Sequence, residues 1–285
     1  MKDLDSSILR TAPARAEPAT RGGVIRAAQS ILFLTCYLVY LTVVMGLGQR
    51  LVLWPLITLL PSRRERLVRR WLRAHARATL GLARALAGVR VETTGGIPAD
   101  TGACVVAMNH QSVLDIPLGL TLIPGPYPLI PTRDRYRNGI PAISPLARLA
   151  RFPFVSQRRV ATRAELLALA EAARAVERGE HSLLIFPEGH RTHSGAIEPF
   201  MSSGLKLILS RAHRPVYCIV ADGMVHMRTM ADVALRFAGT RIGVIILGPF
   251  TPPERGTPAT LDAFVEDLRT HMTAALDRLR APLAR

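Results

Sequence analysis

Apolar positions come in distinct textures along this chain. From Ala27 to Gln49 no residue is charged, and Ile31 to Leu47 is almost wholly apolar. As a helix this stretch reaches about 34 Å, roughly one hydrocarbon thickness. Arg50 interrupts, and Leu51 to Leu60 is apolar again with Trp54 and Pro55 inside it, a run too short to span alone. Further on, short apolar runs alternate with longer periodic segments. Val89 to Thr93, Ala103 to Met108, Ser182 to Phe186 and Pro215 to Ala221 have the length of strands. Ser112 to Leu122, Ala161 to Arg178 and Ser203 to Arg211 read as helices, the second closed by Gly179. Ala234 to Ala238 and Arg241 to Leu247, split by Gly239-Thr240, read as a closing hairpin. Leu261, Phe264, Leu268, Met272, Ala275 and Leu279 fall at helical spacing and predict an amphipathic C-terminal helix. The proline-rich stretch from Pro124 to Pro145 is expected to be an irregular excursion. The alternation predicts an α/β domain, a mostly parallel sheet flanked by helices, preceded by an N-terminal membrane-inserted helical segment.

The expected organisation is a mobile polar tail over 1–26, a membrane anchor with a basic interfacial helix over 27–82, and one domain over 83–285. A secretory signal peptide fits the apolar run poorly, because its polar leader would be 26 residues long and no small-x-small cleavage site closes it. A buried pair of core helices is the other reading. After the apolar run come Arg63, Arg64, Arg66, Arg69, Arg70, Arg73 and Arg77, opposed only by Glu65. Leu67, Trp71 and Leu72 form an apolar strip on the same helix, which suits an anionic bilayer surface with Trp71 at the interface. A solvated basic helix is the plainer alternative. Arginines this close to an apolar segment favour the cytoplasmic side for the rest of the chain. A single span and a re-entrant hairpin both remain open.

Composition narrows the function classes. Of 285 residues, 49% are hydrophobic, which excludes a disordered chain. Lys and Arg number 37 against 21 acidic residues, a net charge of +16, so anionic phosphate or lipid is attracted. Aromatics are only 5%, too few for the stacking platforms of single-stranded nucleic-acid binders. Cys36, Cys104 and Cys218 lie far apart in apolar runs and read as small hydrophobes.

Candidate chemistry gathers at strand ends, where α/β sheets place ligands. Asn109-His110-Gln111-Ser112-Val113-Leu114-Asp115 comes directly after the strand ending at Met108. His110 and Asp115 cannot share one helix face. With His110 in the turn and a helix beginning near Ser112, however, Asp115 folds back, fixes the imidazole tautomer and leaves the other nitrogen as a general base. Ser112-x-x-Asp115 is also a helix-capping pattern, and the two readings are compatible. Phe186-Pro187-Glu188-Gly189-His190-Arg191-Thr192 ends another strand. Its Gly189 permits close backbone approach, Arg191 offers a fork for phosphate, and Glu188 would orient Arg191 or a substrate hydroxyl. Phe154-Val155-Ser156-Gln157-Arg158-Arg159 places arginines after a short apolar run.

Together these stretches resemble the glycerolipid acyltransferase family typified by bacterial 1-acylglycerol-3-phosphate acyltransferase. Asn109 to Asp115 resembles its first block with the diagnostic His-x4-Asp, and Phe154 to Arg158 its Phe-Ile-Asp-Arg block. Phe186 to Thr192 resembles Phe-Pro-Glu-Gly-Thr-Arg-Ser, and Arg214 to Ile219 the final Val-Pro-Ile-Val-Pro-Val block. Order and spacing match over roughly residues 85 to 250. Four substitutions depart from the pattern: Gln157 for Asp, His190 for Thr, Cys218 for the second Pro, and Met201 where Pro-Phe-Lys carries Lys.

The resemblance implies acyl transfer from acyl-CoA or acyl carrier protein, as co-substrate rather than cofactor, to the free hydroxyl of a lysophospholipid in the bilayer. His110 and Asp115 would be catalytic. Asn109, Ser112, Arg158, Glu188, Gly189 and Arg191 would bind substrate, with Arg158 and Arg191 on the acceptor's phosphate. Backbone amides near Glu188-Gly189 would stabilise the oxyanion. No metal and no nucleic acid are implied, and the expected place is the cytoplasmic side of a bacterial inner membrane. Lysophosphatidic acid is the first acceptor and lyso-ornithine lipid its rival, given Met201. A serine hydrolase would need Gly-x-Ser-x-Gly, which the chain lacks. A zinc site would recruit His190 and His193 with Glu188 or Glu198. A basic peripheral lipid-binding protein without chemistry is the non-enzyme alternative.

Overall fold

The computed structural model describes residues 21–156, 161–227, 229–254 and 257–281. The uncharged N-terminal stretch forms one long helix. It begins as α1 (Arg21–Val39), passes through wider π-helical turns over Tyr40–Leu47 and Gln49–Leu53, and ends as α2 (Trp54–Leu59). Its 37 residues from Gly23 to Leu59 are long and apolar enough to cross a membrane. The chain then turns at Pro61 and returns against it as α3 (Arg64–Ala87), so a helical hairpin forms.

Two polar clips fasten the long helix to the rest of the molecule. Ser30 Oγ accepts the Ala238 N–H at 2.9 Å, and Gln49 Nε2 donates to the Ala142 carbonyl at 2.8 Å. A row of large apolar side chains, including Val43, Leu51, Val52, Trp54 and Leu59, stays exposed. Trp71, expected at a bilayer interface, instead packs on His75 and over Gly48, where any Cβ would meet its ring at 2.8 Å. Arg64 and Arg73 are likewise turned inward, donating to the carbonyls of Leu149, Ile123 and Gly125. Helix α3 ends where Gly88 takes the left-handed conformation (φ 63°), which closes its last carbonyls.

The domain beyond α3 runs β1 (Arg90–Thr94), β2 (Val105–Met108), α4 (Asp115–Leu122), β3 (Pro128–Leu129), β4 (Thr132–Arg133), α5 (Ile143–Leu149), β5 (Phe154–Val155), α6 (Arg163–Glu177), β6 (Ser182–Ile185), α7 (Ser202–Leu209), β7 (Val216–Asp222), α8 (Met230–Arg236), β8 (Arg241–Phe250) and α9 (Pro258–Arg280). Six strands make one sheet in the order β1-β8-β7-β2-β6-β3, with every pairing parallel except β7 with β8. β4 and β5 pair separately, Thr132 beside Phe154 and Arg133 beside Val155.

The central strands β2, β6 and β7 are buried on both faces, which is why they read as unbroken apolar runs. α4 lies close enough that a Cβ on Gly119 would strike Leu184 at 2.6 Å. α7 packs against both α6 and α9, with α6 against β6 and α9 against β7 and β8. Thr162 and Glu165 start α6 with reciprocal side-chain-to-backbone bonds. Of the apolar residues expected on one face of α9, Leu261, Leu268, Met272 and Ala275 are fully in the core.

Two expectations are corrected. The polar tail expected over 1–26 is helical from Arg21 onward, and its first twenty residues lie outside the described ones. Ala234 to Ala238 is not a strand of a closing hairpin: most of it belongs to α8, opened by a Thr229–Asp232 capping box. β8 therefore pairs with β7 and β1. The proline-rich excursion is mostly irregular, yet it carries β3, β4 and the start of α5.

Candidate active site

Parallel pairing of β2 with β6 and β7 brings three strand ends to one edge of the sheet. The turn after β2 carries His110. Its Nδ1 stands 2.8 Å from Asp115 Oδ2, and the same oxygen accepts the backbone N–H groups of Gln111 (2.7 Å) and Ser112 (2.8 Å). One buried carboxylate oxygen thus gathers three donors, the third being the imidazole N–H. Asp115 is 0% exposed while the His110 side chain keeps 18%, so the pair is fixed from below and open at the histidine. The imidazole stacks on Phe186 with ring centres 4.2 Å apart. Among the described residues no hydrogen bond is made by its Nε2.

Helix α4 begins at Asp115 rather than near Ser112. Half of the capping pattern is present, since Asp115 accepts the Ser112 N–H. Ser112 Oγ is engaged elsewhere, accepting the Leu114 N–H and donating to the Met227 carbonyl, both at 3.4 Å.

Asn109 is buried and exchanges two 2.8 Å bonds with the backbone of Ala221, stitching β2 to β7. Gln111 spans to the end of β7, donating to Asp222 Oδ1 at 2.8 Å and accepting from the Met224 N–H at 3.0 Å. Glu188 is buried. Its Oε1 accepts the His110 N–H at 2.9 Å and its Oε2 the Glu198 N–H at 3.0 Å. Burial pushes its carboxyl up to about 7, against the lowering effect of those two bonds. The polar atoms of Asn109, Ser112 and Glu188, expected to meet substrate, are thus turned into the frame. Glu188 does not orient Arg191 through these bonds.

The third block closes over the turn through the Thr192 N–H, which donates to the His110 carbonyl at 2.7 Å. Gly189 is exposed in the left-handed region (φ 71°), and any Cβ there would collide with the Met201 sulfur. Its N–H is taken by the Phe186 carbonyl at 3.0 Å. Met201, the departure from Pro-Phe-Lys, therefore overlies the block, tied by its own N–H to the Pro187 carbonyl.

A cation that sequence reasoning missed completes the exposed side. Arg133 on β4 reaches the Gly189 carbonyl with Nη2 at 3.4 Å. Partial burial and repulsion from Arg135 and Arg191 hold its guanidinium below the usual value. Arg133 and Arg191 thus share the space beside Gly189, an arrangement that an anion would relieve. The only sequence signal is a Thr-Arg pair inside the proline-rich excursion. Gln157 and Arg158 lie outside the described residues.

His190 and His193 meet edge to face at 6.0 Å, and His190 Nε2 lies 3.5 Å from Glu198 Oε2. Glu188 bonds backbone groups instead, and no cluster of three metal-ligating side chains occurs among the described residues.

Comparison with known proteins gives a consistent picture. The Acyltransferase family model matches residues 88–222. The human 1-acyl-sn-glycerol-3-phosphate acyltransferase alpha is 28% identical over 189 residues, 66% of this chain and 64% of its own length. The mouse protein of the same name is 28% identical over 192 residues, 67% of this chain and 65% of its own. The chain thus spans a little under two thirds of these relatives. Its fold matches the crystal structure of the 1-acyl-sn-glycerophosphate (LPA) acyltransferase PlsC from Thermotoga maritima with a TM-score of 0.66 and 21% identity. That match covers 92% of this chain and 100% of the other.

Proposed function

We propose that this chain, whose residues 88–222 match the Acyltransferase family model, transfers a fatty acyl group from a thioester, acyl-CoA or acyl carrier protein, to the free hydroxyl of 1-acyl-sn-glycerol-3-phosphate, giving phosphatidic acid. The observation that carries the reading is the His110–Asp115 pair at 2.8 Å, with the imidazole open at the sheet edge.

Asp115 accepts from Nδ1–H and so leaves Nε2 as the base. Nε2 takes the acceptor's hydroxyl proton as that oxygen attacks the thioester carbonyl. The tetrahedral intermediate collapses with loss of the thiolate, which recovers the proton from the imidazolium. Asp115 stabilises the imidazolium while it exists. Asn109, Gln111 and Glu188 hold the turn rigid through their backbone bonds, and Arg133 and Arg191 bind the acceptor phosphate. His110 and Asp115 are the catalytic residues of this reading.

The long helix and its exposed apolar row hold the protein at a bilayer, where a lysolipid resides. The arginines beside the helix support a bacterial inner membrane with the domain on the cytoplasmic side. Met201 above Gly189 favours one second reading, an acceptor with a different head group such as lyso-ornithine lipid. The deciding experiment offers membrane fractions labelled acyl-CoA with lysophosphatidic acid or lyso-ornithine lipid, beside a His110→Ala control. Phosphatidic acid formed only with His110 intact is the expected result. Transfer only to the lyso-ornithine lipid would replace the acceptor, and His110-independent transfer would overturn the mechanism.

A further inference from the structure

The last helix ends beside the first catalytic block. Arg280, in the final turn of α9, donates from Nε to Asp222 Oδ2 at 2.8 Å and from Nη2 to Asp222 Oδ1 at 2.9 Å. Nη2 also reaches the Gly195 carbonyl at 2.8 Å. Each of those partners leads to His110 by a different route. Asp222 Oδ1 accepts from Gln111 Nε2, and the Gln111 N–H is one of the three donors on Asp115 Oδ2. The Gly195 N–H donates to Thr192 Oγ1 at 3.0 Å, and the Thr192 N–H donates to the His110 carbonyl. A single guanidinium therefore joins the turn carrying the base to the loop that closes over it, from outside the span matched by the family model.

We infer that Arg280 is a positioning residue for the transfer reaction: it clamps the His110 turn and the 188–198 loop in one geometry. The inference rests on the reading of His110 as the base. Three features favour positioning over a simple stitch for the C-terminal helix. α9 is already anchored by Leu261, Val265, Leu268, Met272, Ala275 and Leu276 in the core, so its docking does not depend on its last turn. The Arg280 and Asp222 side chains keep 39% and 20% exposure, which limits what their attraction adds to stability. The three bonds also need a planar fork directed at two residues at once, a geometry that lysine lacks. Burial disfavours the charged form of Asp222, but the bonds from Arg280 and Gln111 outweigh it and hold the carboxyl below its usual range. The fork therefore closes on a carboxylate.

The test uses the full chain purified in detergent, with acyl-CoA and lysophosphatidic acid as substrates. Arg280→Ala is expected to lower kcat about 10- to 50-fold while KM for either substrate moves less than about 2-fold, the signature of a misplaced base. Arg280→Lys should recover only part of the loss. Adding Asp222→Asn to Arg280→Ala should cost little more, because both act through one clamp. Arg269→Ala, which removes an exposed pair with Glu266 on the same helix, should leave turnover unchanged. If Arg280→Ala does not fold, Arg280→Lys carries the same kcat-against-KM comparison. Unchanged kcat, a rise in KM alone, or fully multiplicative losses in the double variant would overturn the clamp. His110→Ala separates the two levels. Turnover surviving in it overturns the base and the clamp together, whereas its loss beside an unaffected Arg280→Ala overturns the clamp alone.

Discussion

The two sides of the site are built in opposite ways. On the base side, His110 and Asp115 lie five residues apart, and the side chains of Asn109, Asp115 and Glu188 bond backbone groups around them at 2.7–3.0 Å. On the anion side, Arg133 comes from β4 and Gly189 and Arg191 from the loop after β6, and Arg133 reaches the Gly189 carbonyl across a 3.4 Å bond. The difference matches the two tasks. A general base works through a fixed nitrogen, whose misplacement by an ångström costs orders of magnitude in rate. The proposed phosphate clamp works through charge, which tolerates movement.

The comparison breaks first at the base. His110→Ala should lower kcat about 1,000-fold or more with the fold intact, read as acyl transfer by membrane fractions against circular dichroism. Asp115→Asn should come next at about 100-fold or more. The amide oxygen can still accept the donors that now share Oδ2, but the amide lacks the negative charge that stabilises the imidazolium. An Asp115→Asn enzyme with near-normal kcat would show that the dense bonding serves only the helix start.

Arg133→Ala probes the other side. It should raise KM for lysophosphatidic acid about 10- to 100-fold and leave kcat within a few-fold, because a contact present in both ground and transition state is lost. With an acceptor lacking phosphate the same change should matter little. If kcat falls instead, the anion side is as rigid as the base side and the contrast is wrong.

This division also governs what is legible in the chain. His110 and Asp115 can be read because their contact is local, and β2, β6 and β7 because full burial writes itself as uninterrupted apolar runs. Arg133 cannot, since β4 is two residues long and gains meaning only from pairing with β5. Ala234 to Ala238 resembles a strand because alternation over five residues fits either period; the Thr229–Asp232 cap is the local signal that identifies α8. In the sequence, Trp71 and the arginines Arg64 and Arg73 have the pattern of a surface facing lipid. They turn inward because Gly48 and the carbonyls of Leu149, Ile123 and Gly125 receive them, partners far off in sequence. Asn109, Ser112 and Glu188 match the motif, and only the structure reveals that their polar atoms face the protein.

The smallest expected effect lies at the residue that joins the two sides. Glu188 takes the His110 N–H on one oxygen and, on the other, the N–H of Glu198 in the loop that carries Arg191. Burial raises its carboxyl to about 7, above the value an unfolded chain would show. Between about pH 4.5 and 7 the folded protein therefore binds more protons than the unfolded one, and stability falls as pH rises through that window. The contribution is complete below the unfolded pKa and gone above the folded one, a change on the order of 1–3 kcal/mol. Glu188→Gln cannot ionise, so its unfolding free energy, measured by denaturant titration at pH 5 and pH 8, should lack this part of the wild-type slope. It should be the less stable protein at both pH values if its NH2 is left facing a backbone N–H. Equal slopes in the two proteins would mean that Glu188 is already ionised at pH 5. The link between base and clamp would then be a fixed charge rather than a protonated, hydrogen-bonded hinge.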